Sequence, residues 1–287
     1  MIVDFRVRLP LERWPSSVRE GFAEHYPQYD AVLGLVTSVR RTADDLGAEL
    51  AAAGVGHVVI HAEHEYGEVA DELNEAVAAF VAESPTHRTG FGTVSLGQSN
   101  VARMVAQVRR SHQLGHKGIN VQPAFFGRSI DDRELFAVYG IANDLGMVVA
   151  LHTGVNYDRN SPMAGEHPLL LDRVASAFPD LRLVACHGAW PWAAEMAAVA
   201  RRHPTVSFDF GGLAPRYLAE AASGWAPLMS MVDNLLSEQC LFATDWPVMD
   251  HQRAIAEWEA IELKPTTRAR LMGGNAADLL GLAVPVS

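Results

Sequence analysis

A chain of 287 residues that is 49% hydrophobic has the apolar material for one large core, and its length suits a single eight-fold barrel domain. The 34 acidic against 23 basic residues give a net charge of −11 with no basic run or stripe, which argues against nucleic acid and anionic membrane surfaces as partners. Two cysteines, Cys186 and Cys240, exclude a disulfide framework and a four-cysteine metal site.

No apolar run reaches the length of a membrane span. The N-terminus enters a strand at Ile2 and Val3 without the basic and apolar regions of a signal peptide, so a soluble, cytoplasmic protein is expected. Segment 2–9, IVDFRVRL, alternates, with Val3, Phe5 and Val7 on one face and Asp4, Arg6 and Arg8 on the other. In a barrel the polar face is the lumen, which is packed at depth and polar near the catalytic mouth. The region from Leu11 to Ser38, with Trp14-Pro15 and Tyr26-Pro27, lacks periodicity. It reads as a long loop after strand 1 carrying a short helix, of the kind that covers an active site.

From Thr42 a strand and helix rhythm sets in. TADDLGAELAAAG has a threonine N-cap and a glycine stop, and GHVVIHAE follows as a strand. Helices and strands then alternate through VADELNEAVAAFVAE, RTGFGTVSL, NVARMVAQVRRSHQLG, KGINVQP, DDRELFAVYGIANDLG, MVVALHTG, HPLLLDRVASAFPD, LRLVACHG, WAAEMAAVARRHP and TVSFDFGG. A helical stretch over about 214–237 leads to QCLFATDWP, and QRAIAEWEAIE with PTTRARLMGGNAADLLGL forms a helical tail. Eight strands, seven intervening helices and this tail predict an α/β fold, a (β/α)8 TIM-type barrel forming one domain over residues 1–287.

Three of these strands end in a titratable group. VVALHTG delivers His152, LVACHGAWP delivers His187, and LFATDWP delivers Asp245, all at the C-terminal tip where barrel enzymes keep their sites. These are the candidate catalytic residues. If His187 and Asp245 face inward, alternation turns Cys186 and Cys240 outward into the helix layer and points Ser207, Asp209, Asn120, Gln122, His61 and Glu63 inward. Trp14, Trp190, Trp192 and Trp246 fall in mouth loops, where they wall a pocket or pack beneath it. The cluster HAEHEYG has the look of a metal motif, yet His61, Glu63 and His64 at one strand end do not easily face a single ion.

IVDFRVR at the start, His152, His187, ATDWP around Asp245, the closing LMGGNAADLLGL and the passage ELNEAVAAFVAESPTHRTGFGTV together resemble the amidohydrolase-related branch of the amidohydrolase superfamily, which comprises metal-dependent hydrolase and decarboxylase barrels. The resemblance spans essentially the whole chain. It implies one divalent metal held by a His-x-His pair on strand 1, by the strand-5 histidine and by the strand-8 aspartate, with the strand-6 histidine assisting catalysis. Here Arg6 and Arg8 stand at the positions of that pair. A guanidinium stays protonated and has no lone pair to coordinate with. A dication about 5 Å from one of them loses about 6–7 kcal/mol at an effective dielectric near 20. No metal cofactor is therefore expected. If a single divalent ion such as zinc is bound after all, His152 and Asp245 are its ligands, with His61 or Glu63 as additions.

The leading expectation is that Arg6 and Arg8 fork onto the carboxylate of a small substrate, with Asn120 and Trp190 as further substrate contacts. Asp245 then acts as general base on a water, with His187 or His152 as partner acid or carbonyl polariser. That is metal-independent hydrolysis of an ester, lactone or related acyl bond, which the resemblance permits because the superfamily includes metal-free lactonases. The alternatives are a metal-dependent decarboxylase or hydratase, and a non-catalytic carboxylate-binding barrel in which Arg6 or Arg8 pairs with Asp245, Asp4 or Asp209. Related barrels are often dimers, so a homodimer is also an expectation.

Overall fold

Eight short strands form one sheet in sequence order in the computed structural model, which describes residues 1–16, 41–63, 70–97, 100–220 and 222–283. They are β1 (Ile2–Arg8), β2 (Val55–His61), β3 (Arg88–Gly92), β4 (Gly118–Val121), β5 (Val148–Leu151), β6 (Leu183–Ala185), β7 (Val206–Asp209) and β8 (Cys240–Leu241). Every consecutive pair is parallel. The ring closes between the last strand and the first. Phe5 N donates to Phe242 O, Asp245 N to Arg6 O and Arg8 N to Trp246 O, each at 2.9 Å. The expected (β/α)8 barrel is the observed fold.

The crossovers are helical. Helix α1 (Ala43–Ala53) starts with a capping box between Thr42 and Asp45 and stops at Gly54, whose φ of 68° places it in the left-handed region open to glycine. Helices α2 (Ala70–Ala82), α3 (Val101–Gln113), α4 (Leu135–Asp144), α5 (Leu169–Ala177) and α6 (Ala193–Arg202) follow. The helix expected over 214–237 is instead two short ones, α7 (Pro215–Leu218) and α8 (Ala226–Val232). Gly224, at φ 81°, and Pro227 in the first turn of α8 restart the chain between them. Helices α9 (His251–Ala260), α10 (Pro265–Ala269) and α11 (Asn275–Leu280) end the fold. Asn275 Nδ2 donates to Ser237 O and Cys240 O at 2.8 Å each, which sews the tail to β8. Most of the expected loop after strand 1, residues 17–40, lies outside the described residues, as does His64. Among the described residues no helix is long and apolar enough to cross a membrane.

Strand alternation divides the core into two populations. Val59, Phe91, Val148, Ala150, Val184, Leu241 and Ala243 fill the lumen, while Ile119, Val121, Val149, Leu151, Phe208 and Cys240 pack outward against the helices. Cys240 faces outward as expected. Two places depart from the expected parity, namely the first half of β1, where Val3 and Phe5 face the lumen and Asp4 faces out instead of the reverse, and Cys186. On β1 the pairing runs Asp4 with Val58 and then Val7 with Ile60, three steps against two, so a bulge inserts one residue. Phe5 and Arg6 consequently both point into the lumen, and Val7 packs outside with Leu46 and Trp246. The second departure is Cys186, which points inward with Val184 and lies 3.2 Å from Arg6 Nη1. The parity argument counted back from His187, but β6 ends at Ala185, and the backbone turns left-handed at His187 with φ 63°. Alternation does not carry across such a turn.

Asp4 is the outward-facing clamp that holds the bulge. Its Oδ1 accepts from the backbone N of Arg6 at 3.0 Å and of Thr244 at 3.1 Å, so one carboxylate ties β1 to the end of β8. Its Oδ2 lies 3.0 Å from His251 Nε2, and His251 Nδ1 is 3.5 Å from Glu49 Oε2. Burial opposes charge on His251, but the contacts with Asp4 and then Glu49 outweigh it and raise its pKa. A raised folded pKa means that this contribution to stability is complete below about pH 6.5, the ordinary imidazole value, and is withdrawn as pH rises through the folded value. Urea midpoints measured from pH 6 to 9 should therefore fall on the alkaline side in the wild type. In His251→Gln that decline should be absent.

Candidate active site

The mouth of the barrel is built from the tips of β1, β5, β6 and β8. Thr244 is fixed by Asp4 and itself accepts from Trp246 N at 3.0 Å, so Asp245 between them is held on both sides. Its φ of 54° is left-handed, as are His187 at 63° and Ala189 at 57°. Non-glycine residues held there cost about 1–3 kcal/mol each and concentrate at functional sites. Gly212, at φ 71°, lets the loop after β7 pass close by. A Cβ at that position would sit 3.4 Å from Asp245 Oδ2 and 3.7 Å from His187 Nδ1.

Two guanidiniums hold the Asp245 carboxylate. Arg8 binds it in a fork, Nε to Oδ1 and Nη2 to Oδ2, both at 3.2 Å, and Arg6 Nε adds a third contact to Oδ1 at 3.2 Å. Burial favours the neutral acid, but Arg8 and then Arg6 win and hold Asp245 well below the usual carboxylate range. It is an anion at neutral pH. Arg6 reaches further, with Nη1 on Asn120 Oδ1 and Cys186 Sγ at 3.2 Å each, and Nη2 2.8 Å from Glu63 Oε1. Glu63 in turn accepts from Gln122 Nε2 at 2.5 Å.

The two histidines have unlike supports. His187 Nδ1 donates to Gly211 O at 2.7 Å, and a carbonyl can only accept, so Nδ1 carries the proton and Nε2 is the acceptor. Asp209 braces this arrangement from below. Its Oδ1 accepts from His187 N at 3.0 Å and Gly211 N at 2.8 Å, fixing both ends of the His187 contact. Burial, with the charges of His152 and Arg6 adding to it, pushes the His187 pKa well down, so this ring is neutral. His152 instead places Nδ1 2.5 Å from Oε1 of the fully buried Glu166, whose Oε2 accepts from Asn156 Nδ2 at 2.6 Å. The two imidazoles lie 4.7 Å apart between centroids.

Above them opens a cleft lined by Arg8, His152, His187, Asp245, Asn156, Tyr157 and Trp190, with Val155, Leu213 and Val248 as apolar walls. The structure thus gathers Asp245, His152, His187, Arg8 and Trp190 at one cavity. Arg6 and Asn120, expected as substrate contacts, are fully buried and do not line the cleft. They lie beneath its floor, where Asn120 supports Arg6. Trp14 and Trp246 are buried packing residues, and Trp192 stacks near His167 at 4.6 Å. Sequence reasoning missed Glu166, Asn156 and Tyr157, which sit in the irregular loop after β5 and carry no periodic or motif signal.

The donor set does not fit a divalent metal. Asp245 is engaged by two cations, Glu63 pairs with Arg6, and the two charges on the floor repel a third cation. His61, a proposed additional ligand, puts Nε2 2.8 Å from Phe5 O, and its fully buried ring packs against Phe5 and Phe91. Among the described residues no group of three or more His, Cys, Asp or Glu is arranged to hold an ion.

Comparison with known proteins identifies relatives of the chain. A family profile described as Amidohydrolase matches residues 12–282. A 2-amino-3-carboxymuconate-6-semialdehyde decarboxylase of Dictyostelium discoideum is 24% identical over 242 residues, covering 75% of this chain and 67% of that one. An uncharacterised TIM-barrel protein from Bordetella bronchiseptica superposes with a TM-score of 0.81 at 25% identity over 98% of both chains. The 5-carboxyvanillate decarboxylase of Sphingomonas paucimobilis shares the fold with a TM-score of 0.74 at 16% identity, over 98% of this chain and 99% of that one.

The different depths of the two arginines predict different losses. Arg6→Met strands buried Glu63 and should lower the unfolding free energy by about 3–5 kcal/mol, whereas Arg8→Met leaves Asp245 paired with Arg6 and should cost less than half as much. Urea denaturation of both variants checks this, and equal losses would put Arg8 in the structural network as firmly as Arg6.

Proposed function

The chain belongs to the amidohydrolase family, and from that membership we propose that this enzyme is a decarboxylase of a small unsaturated carboxylic acid bound in the cleft at the barrel mouth. The observation that carries the reading is the ionised Asp245 forked onto Arg8 at the cleft floor, between histidines with opposite supports. The decarboxylase relative supports the reaction class.

A substrate carboxylate drawn to Arg8 shares that guanidinium with Asp245. Two carboxylates close together among apolar walls repel, and loss of carbon dioxide removes one of the charges. The interaction therefore favours the transition state over the bound acid, which is the condition for acceleration. The bond between the carboxyl carbon and its neighbour breaks, the electron pair remains on the neighbouring carbon, and that carbon takes a proton. In this scheme His152 delivers it, with the Glu166 carboxylate 2.5 Å from its Nδ1 edge. Solvent reprotonates it through the open cleft, so one proton is consumed per turnover. His187, neutral and fixed through Gly211, orients the substrate body without competing as an acid. Tyr157, Trp190, Leu213 and Val248 suit a flat conjugated body that spreads the electron pair. No step in this scheme runs through a metal.

A second reading, hydrolysis of an ester or lactone, is favoured by the ionised state of Asp245, which can take a proton from water. The two are separated by product. A panel of small unsaturated and aromatic carboxylic acids should yield carbon dioxide in a coupled assay, and Asp245→Asn should lower kcat/KM by about 10²–10⁴ with the fold retained. Acid release from lactones or aryl esters without carbon dioxide would establish hydrolysis instead. Saturable carboxylate binding without any product would leave a binding protein.

A further inference from the structure

We infer that Arg6 and Arg8, locked to Asp245 and Glu63, form a charge-neutral tetrad that fills the place of a divalent metal, so that this chain takes up none. The inference does not depend on which bond the enzyme cleaves. Arg6 and Arg8 bring two positive charges, the charge of one divalent ion, and Asp245 and Glu63 bring two negative ones. The four are linked in sequence. Arg8 forks onto Asp245, Asp245 Oδ1 also accepts from Arg6 at 3.2 Å, and Arg6 Nη2 reaches Glu63 at 2.8 Å.

The tetrad is held against rearrangement. Arg6 is fully buried, and its Nη1 is engaged by Asn120 and Cys186, so it cannot swing aside without leaving buried groups unpaired. Glu63 is kept in place by Gln122. An ion seeking Asp245 must therefore displace one or both guanidiniums and leave them facing it across the lumen. Of the two cleft histidines, His152 has its Nδ1 edge turned to Glu166 and His187 donates from Nδ1 to Gly211 O, and the carboxylate that would have to join them at an ion, Asp245, is already occupied by both guanidiniums. Two guanidiniums fixed by the chain supply the positive charge to the site without any uptake step.

The test is metal content, which needs no substrate. Untagged wild-type protein from cells grown with added zinc and manganese should carry under about a tenth of an equivalent of any divalent metal by plasma mass spectrometry, and millimolar metal should leave its Tm unchanged. The double variant Arg6→His with Arg8→His supplies two lone pairs beside Asp245 and His152, and when folded it should gain about one equivalent and a metal-dependent rise in Tm. Near one equivalent in the wild type, lowered by Asp245→Asn, would overturn the inference. So would a folded double variant that binds no metal. If the double variant does not fold, the wild-type measurement still decides.

Discussion

The carboxylate of Asp245 gripped by two guanidiniums is the interaction on which the mouth of this barrel depends. Asp245 comes from the end of the last strand and both arginines from the first, so the contact that makes the site also closes the ring. The backbone carries the same join, with Asp245 N bonded to Arg6 O and Arg8 N to Trp246 O. The bulge between Asp4 and Val7 is what allows two arginines to aim at one carboxylate. Without it Arg6 and Phe5 would lie on opposite faces, and the lumen would lose one or the other. Asp4, outside the wall, clamps the bulge and the Thr244 turn together and is balanced by His251 and Glu49. A chain of buried charges thus runs from the helix layer to the floor of the cleft.

Around this anion the two histidines are differentiated by what sits behind them. A carbonyl behind His187 fixes a neutral tautomer, whereas a buried carboxylate stands against Nδ1 of His152. The division is built from loops rather than strands. Asp209 at the end of β7 holds both His187 N and Gly211 N, while Glu166 and Asn156 come from the irregular segment after β5. Rigid strands deliver the titratable side chains, and the loops supply the groups that stand behind them.

The strands and their titratable tips were legible because they rest on local pattern. Short apolar runs ending in His152, His187 and Asp245 announce both the barrel and its functional end, and all eight strands lie where alternation and turn residues put them. What escaped depends on geometry that pattern does not encode. One inserted residue at the β1 bulge turned a clean alternation into two adjacent inward side chains. A left-handed turn at His187 invalidated the parity count that sent Cys186 outward. Arg6 and Arg8 look equivalent in sequence, yet their difference in depth makes one a buried strut and the other part of the cleft floor. Glu166 finds His152 across thirteen intervening residues, where neither spacing nor composition signals the pair.

Exchanging a divalent ion for guanidiniums also bears on the reaction. A metal attracts anions and, as a Lewis acid, lowers the pKa of a bound water to make a nucleophile. A guanidinium does only the first, because it has no vacant coordination position. It binds a carboxylate in a plane through two N–H groups, with its charge spread over the fork. In the proposed metal-free site, hydrolysis must rely on Asp245 alone to activate water, and that carboxylate is a weakened base because two cations stabilise it. Decarboxylation asks for less. It needs a seat for the departing carboxylate, repulsion that its departure relieves, and a proton for the carbon left behind, and the floor offers these in Arg8, Asp245 and His152. In the proposed reading, the charge arrangement favours breaking a carbon–carbon bond for the same reason that it disfavours a metal.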